Sequence, residues 1–293
     1  MIHDIKIPLH FDYNFYVPHY CSGGNFKYED AYRHFITIGK NKGYMGSCLA
    51  DRNIFVSWIE SIKFKKILEI GPGASPALVG EDVSYFDVRK GEDFYEYARQ
   101  KGVDDIKKLP VINYHSEDGS LCSIEDKFNA VFSSHCIEHT YDIVKHFNEV
   151  YDVLEDGGYY FLVVPDKRFC FDFFRNPSSV GNMVERMYSN IKYHKLNVFI
   201  DSLNRTHNDC YRHWKKDNGE LYVFTNTEIM KCIDSWEESE GRNPGLHSWV
   251  FTDDSFHNCI VALYQSKLIK LQPIRVFNTP YLSNSFCAIM KKT

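Results

Sequence analysis

No apolar run in the chain approaches the ~20 residues of a membrane-crossing helix, so no transmembrane span is expected. Basic surplus is also missing. The 34 Lys and Arg stand against 39 Asp and Glu, for a net charge of −5. A nucleic-acid binder normally carries a basic stripe, so no nucleic-acid partner is expected. The nine cysteines are an odd number and include no C-x-x-C pair. A disulfide framework is therefore not the organising device, and a reducing, cytoplasmic location is expected. The opening stretch MIHDIKIPLHFDYNFY has no charged region followed by a long apolar one, so no secretory signal is expected there. Internal repeats and low-complexity tracts are absent.

What remains is a globular composition: 293 residues, 44% hydrophobic and 25% charged, enough for one large domain or two. Aromatic residues are abundant at 16%, which suits a cleft that stacks rings or sugars. Residues 1–62 are aromatic and glycine-dotted, with a helix predicted over Tyr28–Ile38 ending at Gly39; they are expected to form an N-terminal helical cap over the sheet and cofactor. Residues 63–293 read as one α/β domain, interrupted at about 169–246 by a polar, aromatic, histidine-containing insertion.

Lys66–Ile70, Val83–Phe86, Leu109–Asn113, Ala130–Phe132 and Tyr159–Val164 read as strands. Ile143, Phe147, Val150, Tyr151 and Leu154 recur at helical spacing, and Gly157-Gly158 is expected to stop that helix. Leu268–Phe277 and Ser285–Met290 are two strand-like runs with no helix between them, hence an antiparallel hairpin. The expected fold is α/β: a doubly wound, seven-stranded Rossmann-like sheet with a terminal antiparallel hairpin, an N-terminal helical cap and a lid insertion.

The first strand runs into Glu69-Ile70-Gly71-Pro72-Gly73-Ala74-Ser75-Pro76. Glycines at 71 and 73 allow a tight turn and close approach to a ligand. A dinucleotide fingerprint wants a third glycine where Ser75 or Pro76 stands. Glu69, placed where dehydrogenases are apolar, suits a ligand with a cationic amine.

These features resemble a class I S-adenosylmethionine-dependent methyltransferase. ILEIGPGASP resembles the family's first motif, and Asp87 matches the acid that holds both ribose hydroxyls. Asp118-Gly119 matches the segment near the adenine, while FNAVFSSHCIEHTYD and VLEDGGYYFLVVPDKR resemble the fourth and fifth strands. The resemblance implies S-adenosylmethionine as cofactor, held by Glu69, Gly71, Pro72, Gly73, Asp87, Asp118, Gly119, Ser134 and His135. It covers about residues 60–168 and 247–293.

His135-Cys136-Ile137-Glu138-His139 reads formally as H-x-x-E-H, a zinc-protease pattern that the strand-end context rejects. In one reading Glu138 and His139 cap and anchor the following helix while His135 lines the cofactor pocket. In another, some small-RNA 2′-O-methyltransferases and quinone O-methyltransferases place E-x-x-E-H here and bind a divalent cation. His135 in place of the first Glu weakens that parallel; no metal is favoured, with His135, Glu138 and His139 as the candidates if one binds. Strand ends position His135, His139 and Asp166 near the reacting centre, with His135 or His139 as the base for a hydroxyl acceptor.

For the acceptor, Arg168, His213, Trp214 and His247 are the candidate binding residues, since Arg and His engage charged groups and Trp stacks on sugars. VPDKRFCFD, with His247 in GLHSWVFTDDSF, resembles a bacterial methyltransferase-11-like subgroup associated with surface polysaccharide synthesis; Thr252 is expected to cap the next helix. The resemblance implies O-methylation of a sugar or sugar-derived acceptor and association with glycan-assembly enzymes. The alternatives are another small molecule, such as a phosphorylated capsule precursor or a quinone, and a cofactor-binding scaffold without catalysis.

Overall fold

The computed structural model describes residues 5–21, 26–189 and 192–293; Gly23 and Gly24 of the N-terminal region lie outside them. Seven strands form one sheet: β1 (Ile67–Ile70), β2 (Val83–Asp87), β3 (Tyr114–His115), β4 (Phe128–Ser134), β5 (Leu154–Pro165), β6 (Gln272–Val276) and β7 (Ser285–Lys291). Their order is β3-β2-β1-β4-β5-β7-β6. The first five are parallel, while β7 runs antiparallel to both β5 and β6, the expected terminal hairpin. This is the Rossmann-like arrangement of a doubly wound sheet, whose order reverses at β1 and β4. Ligands bind beyond the carboxyl ends of the strands at such a reversal.

Alternation along β5 builds both layers of the core. Tyr160, Leu162 and Val164 face a cluster with Phe147, Val150, Phe256 and Ile260 of the helices Ile143–Val153 and Asp253–Gln265. Tyr159, Phe161 and Val163 face Phe55 and Ile59 of the helix Arg52–Ile62. Thr252 caps its helix as expected, its side chain accepting from Ser255 N in a capping box.

Three local expectations are corrected. Leu109–Asn113 is not a strand, and the third strand is Tyr114–His115; Pro110 lacks the N–H that a ladder needs. The helix after β4 ends at Val153, and Gly157-Gly158 lies inside β5. There Gly157, at φ 79°, donates to Lys292 O past the end of β7, while on the other side β5 bulges against β4, the register jumping from Phe128↔Leu154 to Ala130↔Tyr159. The helix begun at Tyr28 does not stop at Gly39 but continues through a π turn to Lys42 and ends at left-handed Gly43. At Gly39 a Cβ would sit 2.3 Å from Tyr16 Oη, so glycine there permits packing rather than termination.

The N-terminal segment has a core of its own. Phe11, Tyr16, Ala31 and Phe35 form their own cluster. It docks on the β6–β7 connection, where Asn278 accepts from Gly46 N and Tyr281 N donates to Gly43 O. None of the segment's described residues lines the cavity beyond the carboxyl ends of the strands, although Arg52 reaches Ser134 at the end of β4.

The insertion is helical, with Val180–Met187, Leu196–Asp201, Cys210–Trp214 and Asn226–Glu238. Val198, Phe199 and Leu246 give it a small core of its own, against Cys232 and Trp236. All nine cysteines are free, and no helix among the described residues is long and apolar enough to cross a membrane.

Candidate active site

A cavity of about 490 Å³ opens at the carboxyl ends of β1, β2 and β4, under the insertion. One end is lined by Gly71, Gly73, Asp87, Asp118 and Gly119, which the sequence assigns to the cofactor. Gly71 sits at φ 69° and Gly73 at φ 54°, the left-handed region in which side chains are strained. A Cβ on Gly71 would also come within 2.9 Å of Cys136 Sγ. Asp87 is buried, and its Oδ1 accepts from Arg89 N at 2.9 Å. Burial raises its carboxyl above the ordinary range, with Arg89 opposing. Burial also works against ionisation of Asp118, but bonds from Ser116 Oγ and Ser120 N outweigh it and hold the carboxyl below its usual value. Two carboxylates and two open glycine turns fit an adenosine carrying a ribose diol and an amino acid tail.

Three residues assigned to the cofactor do not line the cavity: Glu69, Pro72 and Ser134. Both Glu69 oxygens are taken by backbone N–H groups, of Ala77 at 2.8 Å and Leu78 at 3.0 Å. Burial pushes its pKa up to about 7. It pins the loop from beneath instead of meeting a ligand amine. Pro72 is buried, and Ser134 Oγ accepts from Arg52 Nε at 3.4 Å.

Beyond the glycine loop the cavity is lined by His135, Glu138, His139 and His247, with Cys170, Phe171, Asn208, Gly245 and Asn284 around them. His135 ends β4 at φ 51°, a strained conformation for a side-chain-bearing residue that aims its ring into the cleft. Burial, with the Arg52 guanidinium adding to it, lowers its pKa to about 4. Glu138 and His139 lie in a short 3-10 turn and do not cap the next helix, because Asp142 does that. Glu138 is fully buried, and its Oε2 has no hydrogen-bond partner. Its Oε1 is 3.9 Å from His135 Nδ1, 3.8 Å from His139 Nε2 and 3.9 Å from His247 Nε2. Desolvation, with the Asp172 charge adding to it, pushes Glu138 up to about 8. His139 Nδ1 donates to Leu246 O, and His247 Nδ1 lies 2.5 Å from Asp172 Oδ2. Glu138, His139 and His247 form the metal-competent set, so the expected trio is corrected by exchanging His135 for His247.

Four other expected residues do not reach the cavity. Asp166 is wholly buried, gripped by Arg168 and by Thr279 Oγ1 at 2.6 Å. Arg168 is spent on that pair and on Asp253. His213 bonds Asn218 Oδ1 and His207 O, and Trp214 stacks on Phe169 while donating to Ser283 O. Asp166 and Trp214 tie to the β6–β7 connection, Arg168 to the helix Asp253–Gln265, and His213 holds the insertion to itself. Sequence reasoning missed Phe171, Asn208 and Asn284; only the β5–β7 register, which pairs Pro165 with Ser285, announces that Asn284 stands at the cleft.

Residues 68–162, less than half of the chain, match the family model described as a methyltransferase domain. No curated protein matches the chain. Among solved structures it is similar to the CurJ carbon methyltransferase, at 12% identity over 82% of this chain and 54% of that one, with a TM-score of 0.40. The chain thus spans about half the length of that relative. A SAM-dependent methyltransferase from Aquifex aeolicus is 13% identical over 84% of this chain and 95% of that one, with a TM-score of 0.37. The glycopeptide N-methyltransferase MtfA with S-adenosylhomocysteine is 14% identical over 49% and 62%, with a TM-score of 0.30.

Proposed function

We propose that this S-adenosylmethionine-dependent methyltransferase methylates a hydroxyl oxygen of a sugar or sugar-derived acceptor, in bacterial surface-glycan synthesis. When bound, S-adenosylmethionine supplies an electrophilic methyl on a sulfonium. Gly71, Gly73, Asp87, Asp118 and Gly119 would hold it. The chain's remaining task is to seat a hydroxyl in line with that methyl and to take its proton. His135 is the candidate base: it projects from the strand end between the glycine loop and the acceptor side.

One observation carries the choice of acceptor. The two cationic residues of the cavity, Arg89 and Lys101, both follow β2 on the adenosine side. The acceptor side offers amides at Asn208 and Asn284, imidazoles and the Phe171 ring; no Lys or Arg lines it among the described residues, and Arg205 lies against it, over the Phe171 ring and bonded to Gly245 O. That lining suits a neutral polyol, whose hydroxyls need donors and acceptors and whose ring faces stack on an aromatic. A quinone would want a more apolar wall. The resemblance of VPDKRFCFD and the His247 segment to glycan-associated methyltransferases supports the same reading, which includes a cytoplasmic location and association with glycan-assembly enzymes.

The test is release of S-adenosylhomocysteine from S-adenosylmethionine over nucleotide-sugars, oligosaccharides and small phosphorylated precursors. Turnover on the glycans is expected. Turnover confined to phosphorylated precursors overturns the acceptor assignment, and cofactor binding without any turnover supports a scaffold.

A further inference from the structure

We propose that Glu138, His139 and His247 form a binding site for one divalent first-row transition-metal ion at the floor of the acceptor cleft. Three observations converge on it. The ligand atoms of these residues all lie within 4.8 Å of one another. With metal–ligand bonds of about 2.1 Å and near-tetrahedral angles, ligand atoms stand ~3.4 Å apart, so the observed 3.8 and 3.9 Å from Glu138 Oε1 need only a small contraction.

The hydrogens are already assigned elsewhere. His139 Nδ1 donates a hydrogen bond to Leu246 O, and His247 Nδ1 donates one to Asp172 Oδ2. The Nε2 atom of each ring is therefore left facing Glu138. Such outer partners are what fix the tautomer of a metal-binding histidine. Asp172 is itself anchored by Arg175 at 2.8 Å.

The third observation is Glu138 itself. It is 1% exposed, and Oε2 has no partner. A buried carboxyl group with an unpartnered oxygen costs free energy, and a cation held between this carboxyl and the two imidazoles would give it a partner. Two segments far apart in sequence are stitched to keep this arrangement: Trp249 N donates to Glu138 O at 3.1 Å.

The donor set names the ion class. Magnesium and calcium take oxygen ligands, whereas two imidazoles with one carboxylate suit manganese, iron, cobalt, nickel or zinc. Three protein ligands leave positions open, and all three residues line the cavity. Resting on the acceptor reading above, those open positions would take one or two adjacent hydroxyls of the acceptor. The ion would orient them and make the reacting one more acidic for His135.

The experiment separates the two readings because it needs no acceptor. Chelator-treated full-length protein is titrated with Mn²⁺ and Zn²⁺ by calorimetry, and with Co²⁺ by visible absorption. One ion per chain is expected, with Co²⁺ bands of a low-coordinate imidazole–carboxylate site. His139→Ala, His247→Ala and Glu138→Gln should each weaken binding by about tenfold or more. S-adenosylhomocysteine affinity, carried by the Gly71–Asp87 end, should stay within a few-fold and so reports that each variant is folded. Wild-type protein that takes up none of the three ions overturns the site, whatever the variants do. So does uptake that the folded variants leave unchanged. Metal uptake without glycan turnover would overturn the acceptor reading and leave the site standing.

Discussion

His247 Nδ1 lies 2.5 Å from Asp172 Oδ2 although the two are 75 residues apart, with the whole helical insertion between them. The contact fastens the end of the insertion to its beginning and points His247 Nε2 at Glu138. Burial opposes ionisation of Asp172, but His247 and Arg175 hold its carboxyl below the usual range. Asp172→Asn should therefore loosen His247 and reduce metal affinity by about 10–100-fold with the fold retained. Calorimetry with Mn²⁺, beside a thermal melt, checks it.

Cofactor binding should depend on Gly71 for two separable reasons. Gly71→Ala puts a Cβ at φ 69° and within 2.9 Å of Cys136 Sγ. The strained backbone alone costs about 1–2 kcal/mol. Adding Cys136→Ala should relieve the contact and restore only part of the S-adenosylhomocysteine affinity measured by calorimetry. Full restoration would mean that the backbone conformation does not matter.

Removing the candidate base should act on turnover more than on binding. His135→Ala is expected to lower kcat by about 10²–10⁴, the range for general-base catalysis. Methyl transfer at saturating acceptor reads it. Unchanged kcat would remove His135 from the chemistry.

Trp214 should prove structural. It is stacked on Phe169 at 3.8 Å and bonded to Ser283 O. Trp214→Ala should destabilise by about 2–4 kcal/mol and leave acceptor KM nearly unchanged. A large KM effect with an unaltered melting temperature would return Trp214 to the acceptor site.

Acid should weaken the core through His146. Its ring is buried under the sheet and bonded to Tyr160 Oη at 3.0 Å. Burial lowers its pKa from 6.5 to about 4. The unfolded chain thus binds a proton below pH 6.5 that the folded chain refuses. The stabilising difference is complete above pH 6.5 and is lost as pH falls toward 4, on the order of 3 kcal/mol in all. Urea unfolding of wild type and His146→Gln, from neutral pH to about 4.5, should show a shallower pH slope in the variant.

Much of the sheet could be read locally. Short apolar runs ending in Gly71, Asp87 and Ser134 gave the strands, because a buried parallel strand needs nothing beyond apolar residues and a turn. Misreadings fell where one residue changed the backbone rule, such as Pro110 in the expected third strand and the bulge at Gly157.

The sequence alone determined the chemistry available at the cofactor end. Gly71, Gly73, Asp87, Asp118 and Gly119 act close to their own strand ends, so local order places them. Whether a polar side chain farther along meets ligand or protein was decided only by tertiary packing. Asp166, Arg168, His213 and Trp214 carry polar or aromatic chemistry suited to a cleft, yet partners from the β6–β7 connection, the insertion and the helix Asp253–Gln265 consume them. His247 carries the same kind of chemistry and stays in the cleft, because Asp172 takes one ring nitrogen and leaves the other facing Glu138. Those choices depend on contacts between residues tens to more than a hundred positions apart, and no local pattern encodes them.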